Sequence, residues 1–130
     1  MLVLDENLPE DQCELLRSWG IHIRVVGVEI SAVGTLDENL IPLLHRLPRP
    51  TFCRLDHDFY RRDWAHASYG LVWLNVADDR AAQFIRRFLR HPTFNTKTKR
   101  MGMVARVHAG GVRFWKLKER DAQSVRRHDA

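Results

Sequence analysis

Cysteine, glycine and long apolar runs are all scarce in this chain. Only two cysteines occur among its 130 residues. Cys13 and Cys53 each stand alone inside an apolar pattern, which excludes a disulfide framework and a zinc site of CxxC spacing. Buried free thiols in a reducing cytoplasm account for both, and a cytoplasmic location is expected. No apolar run approaches the roughly 20 residues that span a bilayer, so no membrane partner is expected. Asp5 and Glu6 interrupt the apolar opening too early for a signal peptide. Seven glycines beside a charged fraction of 28% argue against collagen-like, low-complexity or disordered sequence. GxSxG, a Walker loop and HExxH are absent too, and with them the commonest covalent nucleophile, phosphate cradle and zinc-protease motifs.

What is present is a compact domain's worth of apolar residues, 45% of the chain, and an uneven charge. Residues 1–55 hold 5 Lys/Arg against 8 Asp/Glu, a balance of −3, whereas residues 56–130 hold 16 against 8, a balance of +8. Most of that excess is arginine. A basic half beside acidic clusters suits a polyanion, with phosphate met by arginine and a cation met by carboxylates. A basic surface that only confers solubility, or docks an acidic protein, fits the same count.

Read in order, short apolar runs alternate with amphipathic stretches. Met1–Leu4 reads as a buried strand, and Pro9 opens a helix that runs to Trp19 and stops at Gly20. Residues 21–26 make a second strand. A second helix covers Leu36–Leu47; Pro42 is cheap only in a first turn, which makes Asn39 its cap and leaves Asp37 and Glu38 in the lead-in. Thr51–Leu55 is a third strand, and residues 59–68 hold about one helical turn. Tyr69–Val76 is the clearest strand, rich in β-branched and aromatic residues. A helix from Asp78 to Arg90, a loop to Arg100, and two strands joined at Ala109-Gly110-Gly111 follow. This order predicts an α/β fold with a mostly parallel sheet, helices on both faces and a C-terminal hairpin. Residues 1–118 form one domain, and 119–130 read as a polar, flexible tail.

Acidic pairs recur where strands end. In an open parallel sheet, ligands sit outside the carboxyl ends of the strands where strand order reverses. Asp5 and Glu6 end the first strand, and Asp56 and Asp58 end the third. A 2-1-3-4 strand order brings these clusters together, with Asp37 and Glu38 on the same rim. Asp78 and Asp79, after the fourth strand, are further candidates that helix capping also explains. Carboxylates without cysteine favour Mg²⁺ or Mn²⁺, which activates water for phosphoryl chemistry and can act in pairs about 3.5–4 Å apart. In an extended segment Asp56 and Asp58 share a face and His57 points away; His57 is then either a general base or a solvent-facing neighbour, and its opposite phase favours the neighbour.

Three stretches together resemble the short PIN-like proteins, relatives of the VapC-type toxins: Leu4-Asp5-Glu6-Asn7-Leu8-Pro9, Asp37-Glu38, and Asp56-His57-Asp58-Phe59. The resemblance extends over residues 1–118. It implies a PIN-like, Rossmann-like sheet and a metal-dependent endoribonuclease, the toxin of a toxin–antitoxin pair. It also implies Asp5, Asp37, Asp56 and Asp58 as catalytic metal ligands, with Glu6 and Glu38 in support. RNA is the substrate it implies, with a small antitoxin protein and a second copy of the chain as partners. Arg54 departs from the family, which usually has Ser or Thr two residues before the first Asp of DxDF. It could pair with a ligand carboxylate or reach a phosphate.

Two other readings stay open. One is a PIN-like module that binds RNA or protein without cutting. The other is a receiver-like phosphoacceptor domain, which should carry a Ser/Thr after the fourth strand and a lysine after its last core strand; Asn75-Val76 and the hairpin lysines do not match that. Arg54, Arg61, Arg62, Arg86, Arg87 and Arg90 are the candidate RNA contacts. Trp64, Trp73 and Trp115 read as core or interface.

Overall fold

The computed structural model describes residues 1–30 and 37–126. Seven strands form one sheet: β1 (Leu2–Leu4), β2 (Ile23–Val25), β3 (Thr51–Arg54), β4 (Gly70–Leu74), β5 (Met103–His108), β6 (Gly111–Lys116) and β7 (Gln123–Arg126). Their spatial order is β2-β1-β3-β4-β5-β6-β7. The first five run parallel, and β6 and β7 are antiparallel. The fold is therefore α/β with a mostly parallel sheet. Leu2, Val3 and Leu4 are all buried, as expected of a central parallel strand covered on both faces.

The two faces are built differently. On one lie α1 (Glu10–Ser18) and α3 (Ala81–Arg90), whose Cys13, Leu16, Ala81, Phe84, Ile85 and Phe88 share a core with Leu4, Cys53, Val72 and Ala105. Pro9 leads into α1, where its missing N–H costs nothing. Gln12 fastens the two helices, its Oε1 accepting the Ala82 N–H at 2.9 Å. On the other face lies α2 (Asp37–Arg46), with Leu40 and Leu44 against Val3, Phe52, Leu71 and Val104. Beyond α2 this face is covered by the segment after β3, which supplies Phe59, Tyr60 and Trp64.

Four expectations change. The second helix begins at Asp37, not at a cap on Asn39, and holds Pro42 in its interior. Pro42 therefore forfeits one backbone bond within α2 rather than filling a vacant first-turn position. Strand β3 stops at Arg54, so the segment that follows is a bend and not extended chain. The stretch read as a loop before β5 contains α4 (Lys97–Arg100), capped by the Thr96 hydroxyl, which accepts the Lys99 N–H at 3.2 Å. Arg100 turns inward from α4 to Thr51 Oγ1 at 3.1 Å and the Phe94 carbonyl at 2.8 Å.

The fourth change concerns the stretch read as a polar, flexible tail, residues 119–130, because Gln123–Arg126 pairs with β6 as β7. A polar segment earns a strand here because β6 would otherwise expose an unpaired edge, and Val125 adds a contact to the core. Residues 127–130 lie outside the described residues.

Candidate metal centre at the carboxyl edge of the sheet

β1 lies between β2 and β3, so the chain leaves β1 toward one side of the sheet and returns to the other. That reversal opens a crevice at the carboxyl edge. It is lined by Asp5, Asn7, Leu55, Asp56, His57 and Asp78 and has a volume of about 430 Å³. The register explains the meeting: Leu4 is opposite Cys53, so Asp5 and Arg54 come next, side by side on one face.

Asp5 is 4% exposed. Its Oδ1 accepts the Glu6 N–H at 3.0 Å, and its Oδ2 accepts the Arg54 Nε–H at 3.3 Å. Burial raises its pKa, and the Arg54 charge and hydrogen bond oppose that rise without cancelling it. The Arg54 guanidinium lies 4.5 Å from the centre of the Phe59 ring. Arginine at this position thus pairs with the expected ligand Asp5 from within the sheet, rather than reaching outward as an exposed phosphate contact.

Asp56, His57 and Asp58 form the one cluster of three potential ligands among the described residues, with one donor atom of each within 4.8 Å of the others. All three are exposed. His57 is expected to point away from the two carboxylates; the bend at 55–57 removes strand alternation and brings it among them, its Nδ1 3.7 Å from Asp56 Oδ1. Asp56 Oδ1 accepts the Asp58 N–H at 3.0 Å. Slight burial raises the Asp56 pKa, but the Asp58 hydrogen bonds and the Arg54 and His57 charges outweigh it and hold the carboxyl below the usual range.

The other expected residues divide. Asp78 enters the crevice from the end of β4, which its first-turn position in a single 3₁₀ turn (Asp78–Arg80) allows. Asp37 opens α2, and its side chain lies outside the described residues. Glu38 does not join Asp56; it lines a separate depression with Ile41, Pro42, Trp64, His66 and Tyr69. Glu6 is half-buried beside Asp5.

The candidate arginines also separate. Arg61 pairs with Asp63 at 3.4 Å and lies over Trp64, and Arg62 Nε donates to the Glu119 carbonyl at 3.1 Å. On α3, Arg86 stacks on Trp19 with its guanidinium carbon 3.8 Å from the ring centre, and Arg87 lies over Phe84. Arg90 is exposed at the end of a helix that leads away from the crevice. Two arginines that sequence reading passed over, Arg106 and Arg113, are register partners on β5 and β6.

The chain matches no protein-family model, no curated protein and no solved structure. No helix among the described residues is long and apolar enough to cross a membrane.

Proposed function

We propose that this chain is a metal-dependent endoribonuclease of PIN-like type, acting as the toxin of a toxin–antitoxin pair. The observation that carries the reading is the convergence of Asp5, Asp56 and Asp78 on one switch-point crevice, beside the cluster of Asp56, His57 and Asp58. The donor set suits Mg²⁺ or Mn²⁺: carboxylate oxygens dominate, and both thiols are buried elsewhere. Asp56 is the ligand best prepared, because its lowered pKa keeps it ionised. Asp58, clustered with Asp56, and Asp78, on the crevice wall, add negative charge. Asp5 lines the crevice with two of its acceptor positions engaged by Glu6 and Arg54. A divalent cation held here by Asp56 with Asp5, Asp58 and Asp78 would supply Lewis-acid activation of water and neutralise charge on the scissile phosphate. The chain's own part is to hold the carboxylates in place and, through the half-buried Leu55, to keep part of the crevice wall apolar.

The experiment is cleavage of single-stranded RNA by the purified chain. Activity requires Mg²⁺ or Mn²⁺ and is lost in Asp5→Asn and in Asp56→Asn; cleavage that survives excess chelator, or survives both substitutions, overturns the metal mechanism. Expression of the chain alone arrests growth, and expression of Asp56→Asn does not.

A second reading is favoured by one contact. The buried Arg54 already places a positive charge against Asp5 and near Asp56, where a cation would otherwise be needed. A PIN-like module that binds RNA or a protein partner without cutting is consistent with that pairing.

A further inference from the structure

On the face of the sheet that carries α2, the region formed by the carboxyl halves of β4 and β5 and the amino half of β6 has no α-helix over it among the described residues, and Tyr60 from the segment after β3 packs there. Strand alternation puts Trp73, Arg106 and Arg113 on that face in one cross-strand row, each opposite the next in register. Trp115 follows one alternation along β6. Tyr60 packs on both tryptophans, its ring centre 5.3 Å from Trp73 and 4.9 Å from Trp115. The row begins at the crevice, since the His57 ring lies 5.8 Å from that of Trp73. Arg106 is held in place: its guanidinium carbon is 5.5 Å from the Trp73 ring centre, and Asn75, with its amide oxygen turned inward, accepts from Nε at 3.0 Å and Nη2 at 3.1 Å. Arg113 is exposed, and among the described residues neither arginine has an ion-pair partner.

We infer that this row is the track along which single-stranded RNA approaches the crevice, with phosphates on Arg106 and Arg113 and bases against the half-buried rings of Trp73, Tyr60 and Trp115. Uncompensated cations interleaved with aromatic rings match the two repeating features of a single strand, its charge and its π-faces. From Trp73 to Arg113 is two strand steps, about 10 Å, the reach of about three stacked nucleotides. A duplex hides its base faces and gains only the charge. This inference rests on the ribonuclease reading, for which it supplies the substrate path.

The test is binding of a short fluorescent RNA, followed by anisotropy in excess chelator so that nothing is cut, between about 50 and 200 mM salt. Wild type binds single-stranded RNA more tightly than the duplex. Arg113→Glu and Arg106→Gln each weaken binding by roughly 5- to 10-fold and reduce the salt slope by about one. Trp73→Leu weakens it by about 5-fold or more. Should Trp73→Leu fail to fold, the exposed Arg113 substitution carries the test. Arg24→Ala, exposed on β2 at the opposite edge of the sheet, binds as wild type. Unchanged affinity in Arg113→Glu and Arg106→Gln, or no binding of RNA by wild type, overturns the track. Binding with these losses but no cation-dependent cleavage overturns the nuclease reading and leaves the track standing.

Discussion

Arg54 donates to Asp5 across 3.3 Å, and both side chains are only 6% exposed. A buried pair of this kind adds little net stability, because desolvation of two ions offsets their attraction; removing one partner is costly. Arg54 therefore secures Asp5 while competing with any cation for it.

Arg54→Thr separates those two effects. The substitution strands a buried carboxylate, and chemical denaturation should show a loss of about 3 kcal/mol without added metal. Saturating Mg²⁺ should recover more stability in Arg54→Thr than in wild type, because a cation that binds the folded state alone stabilises it by mass action. Equal Mg²⁺ effects in the two proteins would show that Arg54 does not occupy cation space.

The two carboxylates titrate in opposite directions, and the signs differ. Asp5 has a raised pKa, so the folded chain holds that proton more tightly than the unfolded one. Its contribution to stability is full below the unfolded carboxyl range and is lost as pH rises through the raised value. Asp56 has a lowered pKa, so its contribution is present above the unfolded range and is lost as pH falls through the lowered value. Cation binding needs both ionised, so affinity should fall on acidification at the pH where Asp5 takes its proton, before Asp56 does. Calorimetric titration across mildly acidic pH reads this, and Asp5→Asn should abolish the inflection.

Much of this was legible in the chain. The pairing of β1 with β3 follows from short, fully apolar runs such as Leu2–Leu4 that need neighbours on both sides, and that pairing alone brings Asp5 to Asp56. Where the sequence misled, the deciding fact was not local. The place of His57 depends on β3 stopping one residue early, which no alternation rule specifies. Gln123–Arg126 carries little strand signal and is recruited by the free edge of β6. Arg86 reads from sequence as a candidate RNA contact, yet Trp19 at the end of α1 supplies a ring for it. Arg106 and Arg113 looked ordinary because their interest lies in a helix that is not above them.

Gly70 tests the packing at the amino edge of the sheet, opposite the site. A Cβ at this position would lie 2.4 Å from the Arg100 carbonyl oxygen, and that backbone is anchored by Arg100 itself through Thr51 and Phe94. Gly70→Ala should lose about 1–3 kcal/mol in urea denaturation. A neutral result would mean that α4 is free to move.

The thiols should be silent in the native state. Both cysteines are buried, and burial pushes the Cys53 thiol up to about 12. Thiolate is the reactive form, so a chromogenic disulfide reagent at mildly alkaline pH should label neither cysteine until denaturant is added. Prompt labelling of Cys53 would contradict its place in the centre of the sheet.

The most direct measurement is Mn²⁺ binding followed by electron paramagnetic resonance, which counts free ion without requiring turnover. Wild type should take up Mn²⁺ and be displaced by Mg²⁺, while Asp56→Asn should bind at least about 10-fold more weakly. Uptake by Asp56→Asn equal to that of wild type, or no uptake by either, would contradict a metal centre at this crevice.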